Sequence, residues 1–143
     1  MTIKYKYFFS TLKKYTKNHE WISYTSLNGP ITLGISDYGQ KAIGDLVYVQ
    51  VMAPNNSNTN NQAERPIAIV EGVKGATDVY CPFTHISIQS INEDVIKKPS
   101  LINKSPENDG YILKFLINNA EDQQKQQHLM DEEEYTIFCN GGI

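Results

Sequence analysis

The chain is 143 residues long, 40% hydrophobic and 20% charged, with a formal net charge of -3 at pH 7. This suits one soluble domain with short extensions and a modest core. The acidic balance and a single arginine, Arg65, argue against a nucleic-acid partner; two cysteines exclude a disulfide scaffold, and the apolar runs fall far short of a membrane span.

Residues 1–14, MTIKYKYFFSTLKK, are basic and free of acidic residues, and Tyr5, Phe8, Phe9 and Leu12 fall at helical spacing. That pattern predicts a mitochondrial targeting segment, with a plain basic tail as the alternative. Residues 15–118 read as a mainly β domain. Ile31, Leu33 and Ile35 alternate, as do Val47, Val49 and Val51, Ile67 and Ile69, and Ile86 and Ile88. Such period-2 runs between turn residues predict a small sandwich or barrel. Tyr111 to Ile117 is nearly continuous in apolar residues, as expected of a strand buried on both faces.

One short helix is expected after Ile35. Asp37 is placed to cap it, Gln40 completes a capping-box spacing and Gly44 is placed to end it. Residues 55–62, NNSNTNNQ, read as a surface loop, and residues 92–108 as a loop with a turn or two of helix. Residues 119–143 read as an acidic helix and tail, the helix running from Ala120 to about Tyr135.

The segment that carries chemistry is IVEGVKGATDVYCP, residues 69–82. Two apolar runs flank Val73-Lys74-Gly75-Ala76, so a strand pair turning at Lys74 holds its amine in solvent. Gly72 and Gly75 flank the lysine and allow tight backbone geometry. A rigid tip with a flexible arm suits a carrier whose group visits several active sites, because tethering raises local concentration. By itself, a lysine in a turn is as well explained by solvation. Glu20 beside Trp21 reads equally as a surface carboxylate, and Asp78 as a turn cap. His19, His85 and His128 do not stand at metal-ligand spacing. Cys81 beside Pro82 reads as a small buried side chain, and Trp21, Tyr48, Phe83, Tyr111 and Phe115 as core.

Four segments, taken in order, resemble the glycine cleavage H protein family: YTKNHEW (15–21), LGISDYGQKAIGDLVYVQV (33–51), IVEGVKGATDVYCP (69–82) and INEDVIKKPSLINKSPENDGYILKF (91–115). LMDEEEYTIFC (129–139) is similar to that family's C-terminal helix. The likeness implies a mainly β, lipoyl-type barrel-sandwich hybrid, or hammerhead, with short helices and a C-terminal helix. It also implies lipoic acid bound covalently to Lys74. The implied role is a carrier subunit, not an enzyme. The arm takes an aminomethyl group from the pyridoxal-phosphate glycine decarboxylase, passes it to an aminomethyltransferase and is reoxidised by dihydrolipoyl dehydrogenase. A lipoyl-attaching enzyme is a further implied partner; nucleic acid and membrane are not. Glu20, Asp78 and Asn18 match the family's pocket for the loaded arm, Asn18 standing where a hydroxyl residue is usual.

The chain departs from the family pattern at Gly72, usually serine or another small residue, and at Asn108-Asp109. At His85, where a glycine turn is usual, it is expected to have positive φ and so to be strained. Two other readings remain: a protein relaying lipoyl groups to other enzymes, and an unmodified β-barrel interaction module. Biotin carriage fits less well, since Val73 and Gly75 flank the lysine where biotinyl domains carry methionines.

Overall fold

The computed structural model describes residues 10–54 and 57–141. In chain order the strands are β1 (Leu12–Tyr15), β2 (Glu20–Tyr24), β3 (Ile31–Ile35), β4 (Leu46–Val51), β5 (Asn58–Thr59), β6 (Ala68–Gly72), β7 (Gly75–Val79), β8 (Ile86–Ile91) and β9 (Leu113–Ile117). The α-helices are α1 (Asp37–Ile43), α2 (Glu93–Lys97), α3 (Ser100–Lys104) and α4 (Glu132–Cys139), and short 3-10 segments span Gln62–Glu64 and Asp122–His128. The strands form a six-stranded sheet, order β1-β2-β3-β9-β8-β5, and a three-stranded sheet, order β4-β6-β7; every pairing is antiparallel. The mainly β expectation holds in the form of two sheets, not one closed barrel.

Alternation places the core. Ile31, Leu33 and Ile35 turn inward from β3, with Leu113 and Phe115 opposite Leu33 and Ile31 on β9. Ile86 and Ile88 of β8 lie in the same cluster, as do Val49, Ala68, Val70 and Val79 from the smaller sheet. Burying each large apolar side chain contributes about 1.5–3 kcal/mol, so this cluster holds the fold. Trp21 packs over Gly34, its cross-strand partner; a Cβ there would stand 2.8 Å from the indole nitrogen. That N–H donates to Ile35 O at 3.0 Å and Pro106 O at 3.1 Å, so the buried indole keeps its hydrogen bonds.

Several expectations need correction. Residues 1–9 of the leader lie outside the described residues, but Leu12, Lys13 and Lys14 are in β1, opposite Tyr24, Ser23 and Ile22. A strand pairing takes them because Lys13 finds Glu107 and the face of Trp21 there. β9 starts at Leu113 and buries one face, with Lys114 and Leu116 half-exposed. Ser36, not Asp37, caps α1, its hydroxyl accepting from Gly39 N, whereas Gln40 bonds Asp37. Gly44 ends the helix as expected, at φ 79°.

The single long C-terminal helix is replaced by a 3-10 segment and α4, separated by an isolated bridge between Tyr15 and Met130. Asp131 starts α4 with a complete capping box to Glu134, so the helix begins afresh there. His85 does not have positive φ, and its N–H donates to the buried Asp122 carboxylate; the strain expected at that position is absent. Among the described non-glycine residues positive φ occurs instead at His19, 68°. Tyr48 is 45% exposed, and so is not core.

Candidate functional site

Lys74 stands where the sequence puts it, at the tip of a two-residue hairpin. Gly72 of β6 pairs with Gly75 of β7, leaving Val73 and Lys74 as the turn. The tip is held from behind by the end of α1. Lys74 N–H donates to Ile43 O at 2.9 Å and Val73 N–H to Asp45 O at 3.0 Å. Gly44 lies between those two carbonyl residues, and a Cβ there would stand 3.0 Å from Lys74 Cγ. A Cβ on Gly72 would stand 2.3 Å from Ile43 O. Neither Gly72 nor Gly75 has positive φ, so Gly72 is needed for close approach and Gly75 for neither reason.

Asn103 of α3 completes this clamp. Its amide donates to Gly44 O at 3.0 Å and to Gln40 Oε1 at 2.7 Å, and its carbonyl accepts from Leu46 N at 2.8 Å. The backbone under Lys74 is therefore fixed while the side chain extends from it. Among the described residues, no carboxylate lies within ion-pair distance of the Lys74 amine.

Glu20, Asn18 and Asp78 come together at the other end of β7. A cavity of about 380 Å³ is lined by Asn18, Ala76, Thr77, Asp78 and Tyr80. Asp78 is four residues from Lys74 along a strand, roughly 13 Å. Glu20 is 2% exposed and already engaged: one oxygen accepts from Thr16 Oγ1, the other from Asn18 Nδ2 at 2.6 Å and Tyr80 N at 2.9 Å. It is a buried strut tying the turn before β2 to the end of β7, with its charge behind the cavity. Asn18 also reaches Asp78 O at 3.4 Å. Asp78 itself is exposed, and is the carboxylate that faces solvent in this cavity.

Sequence reasoning missed the residues that brace this turn. Tyr135 of α4 places its hydroxyl 2.6 Å from both His19 Nδ1 and Ser36 Oγ, and its ring stacks on Tyr15 at 4.3 Å. One C-terminal side chain thus joins the Asn18–Glu20 turn to the start of α1, whose far end holds Lys74. The available signal was a hydroxyl residue one position before the expected cap of α1; Tyr135 gave none, because its partners are 99 and 116 residues away.

Burial holds the His19 imidazole below its ordinary pKa, with the Glu20 charge partly offsetting this. An unfolded histidine takes up a proton near pH 6.5, and the folded one only at lower pH. The unfolded chain therefore binds more protons in that interval, and stability is full above about pH 6.5 and erodes as pH falls below it. His19→Asn, which tolerates positive φ, should flatten that decline. Melting temperatures of both proteins between pH 7.5 and 5 check this; parallel curves would remove His19 as the cause.

The chain matches the family described as Glycine cleavage H-protein over residues 13–141. It is 37% identical over 128 residues to the glycine cleavage system H protein of Thermotoga maritima, covering 90% of this chain and 96% of that one. It is 36% identical to a relative from Dictyostelium discoideum named probable glycine cleavage system H protein 1, mitochondrial, covering 85% of this chain and 80% of that one. The crystal structure of a glycine cleavage system H protein from Mycobacterium marinum superposes with a TM-score of 0.74 at 25% identity, covering 90% of this chain and 96% of that one.

Proposed function

The chain belongs to the glycine cleavage H-protein family, and from that premise we propose that it carries lipoic acid as an amide on Lys74. In this reading it moves the aminomethyl group of glycine from glycine decarboxylase to aminomethyltransferase, and dihydrolipoyl dehydrogenase then resets it. The observation that carries the reading is the tip itself: a backbone fixed on both residues, with an amine that extends from it. An amide-linked arm fits there, since Val73 beside the lysine is 68% exposed and Lys74 itself is exposed. The group would supply a disulfide that opens as cargo bonds to one sulfur and is left as a dithiol, to be reoxidised, once the cargo departs.

The chain's residues bind and shelter. The clamp of Ile43, Gly44 and Asp45 holds the attachment point, so the arm's reach is set by its own length. At the cavity by β7, Asp78 is placed to accept a hydrogen bond from a cationic amine, with the Asn18 carbonyl as a second acceptor. Glu20 adds negative charge from behind and keeps Asn18 in place. The Tyr135 hydroxyl fixes the turn that bears both.

The test is to lipoylate the protein in vitro, load it with glycine and a decarboxylase, and read the added cargo on the Lys74 peptide by mass. A lipoylated chain that takes no cargo overturns the reading. With loaded protein and no transferase, Asp78→Asn should speed loss of the amine severalfold, up to about tenfold for 1.4 kcal/mol of lost shelter. Equal release rates from parent and variant would remove Asp78 from the pocket.

A mitochondrial address is supported by the basic start and the Dictyostelium relative; the matches from Thermotoga maritima and Vibrio cholerae, both bacterial, weigh against it.

A further inference from the structure

The outer face of the six-stranded sheet carries a polar row with no part in the Lys74 reading. Lys13 pairs with Ser23, Ser23 with Thr32 and Thr32 with Lys114, so one line of side chains crosses β1, β2, β3 and β9. Strand alternation sends them outward: Ile22, Leu33 and Phe115 beside them in sequence are in the core, whereas all four are half-buried. They line a cavity of about 600 Å³ together with Glu107, Asp109 and Tyr111.

The charges in this lining fall into two groups. Lys13 and Glu107 are committed to the fold. Lys13 Nζ donates to Glu107 O at 3.2 Å and pairs with the Glu107 carboxylate at 3.5 Å, and that carboxylate also accepts from the Tyr15 hydroxyl at 2.6 Å and from Asp37 N at 3.0 Å. Lys114 and Asp109 are not so committed. The Lys114 amine lies over the Tyr111 ring, 5.2 Å from its centroid. Neither that amine nor the Asp109 carboxylate takes part in an ion pair among the described residues. A positive and a negative group thus line one cavity, too far apart to meet each other.

We propose that this cavity binds a zwitterionic small molecule, a free α-amino acid, with its carboxylate over Thr32 and its ammonium toward Asp109. Cross-strand neighbours hold their Cβ atoms about 4.5–5.5 Å apart. The hydroxyls of Ser23 and Thr32 and the Lys114 ammonium therefore converge on one oxyanion, as two neutral donors and one charged donor. An ionised carboxylate only accepts, so Asp109 suits an ammonium. Lys13 and Lys114 balance Glu107 and Asp109, so a ligand whose own charges cancel leaves the cavity neutral, whereas a simple anion would bring unbalanced charge to Asp109. The cavity shares no lining residue with the one beside β7, so the site stands whether or not Lys74 is modified.

The experiment titrates the full chain, with backbone amides followed by NMR, using three probes. L-glutamine carries both charges, N-acetyl-L-glutamine lacks the cation and L-glutaminamide lacks the anion. L-glutamine should give saturating shifts at Ser23, Thr32, Asp109 and Lys114, and each of the other two should bind about fivefold more weakly, as loss of one exposed charge pair allows. Lys114→Gln should weaken L-glutamine about fivefold and leave L-glutaminamide unchanged, since that probe has no carboxylate for Lys114 to meet. Asp109→Asn should weaken L-glutamine likewise and leave N-acetyl-L-glutamine unchanged. If a variant melts early, the three probes on the parent chain carry the same comparison. No saturating shift at these residues up to about 50 mM probe, well above a millimolar Kd, overturns the site. Equal affinity for the three probes, or inorganic phosphate binding as tightly as L-glutamine, overturns the zwitterion as its ligand.

Discussion

Lys74→Arg should abolish lipoylation and all carrier activity while leaving Tm within about 2 °C of the parent, since surface substitutions are usually within ±0.5 kcal/mol. Arginine keeps the positive charge and the long stem, but its guanidinium is not a nucleophilic amine at neutral pH and forms no stable lipoyl amide. The structure makes the near-neutral stability specific. The tip is held by the backbone N–H groups of Val73 and Lys74, not by the lysine side chain, and none of the ion pairs among the described residues involves Lys74. Intact mass and a glycine cleavage assay on both proteins check this. A Lys74→Arg protein that is still lipoylated, or still active as a carrier, would place the attachment elsewhere.

The second large effect is expected at a residue with no chemistry of its own. Gly44 has φ 79° and ψ -159°, a region essentially restricted to glycine. Gly44→Ala should cost about 1–3 kcal/mol in backbone strain, a fall in Tm of roughly 3–10 °C. It should also reach the site, because the new Cβ would stand 3.0 Å from Lys74 Cγ and 3.1 Å from Val73 Cγ2. The strain then falls on the residue between the two carbonyls that hold the tip, and the Lys74 and Val73 side chains must give by a few tenths of an ångström. Hydrogen exchange at the Val73 and Lys74 amides should accelerate more than at the core strands, and lipoylation should slow. Gly75→Ala is the matching control: its Cβ meets nothing within 4 Å and φ is not positive, so Tm should hardly change. Equal losses in the two variants would mean that glycine is needed on both sides of the lysine, and that the clamp from α1 is not what positions the tip.

Lys74 could be placed from sequence because hairpins are local: two apolar runs and a short polar tip lie within fourteen residues. The short helix after Ile35 and its end at Gly44 were legible for the same reason, the cap being misplaced by a single residue. Alternation was also a sound guide to the mainly β class. It failed where it was read too literally. Val47, Val49 and Val51 looked like one face of one strand, but the bulge at Val47 puts it in solvent and Val49 in the core. Ile67 and Ile69 looked like a pair, yet β6 buries Ala68 and Val70, and Ile69 is half-exposed.

The rest of the site depended on tertiary structure. Glu20 and Asp78 could be named from a family resemblance, but nothing near them in sequence distinguishes a buried strut from an exposed acceptor. That difference is completed by Tyr80 N, 60 residues from Glu20, which joins Thr16 and Asn18 in taking the Glu20 oxygens out of solvent. The same holds for Tyr135, His19 and Ser36, and for Asn103 behind Gly44. By itself, the sequence determined which residues alternate, where the chain turns and which lysine stands at a tip, because those follow from backbone geometry over a few residues. Which carboxylate is free to meet a cation, which glycine must have no side chain and which apolar residues stay in solvent were decided by packing between segments far apart in the chain, where a neighbour's position sets the energy and no local pattern records it.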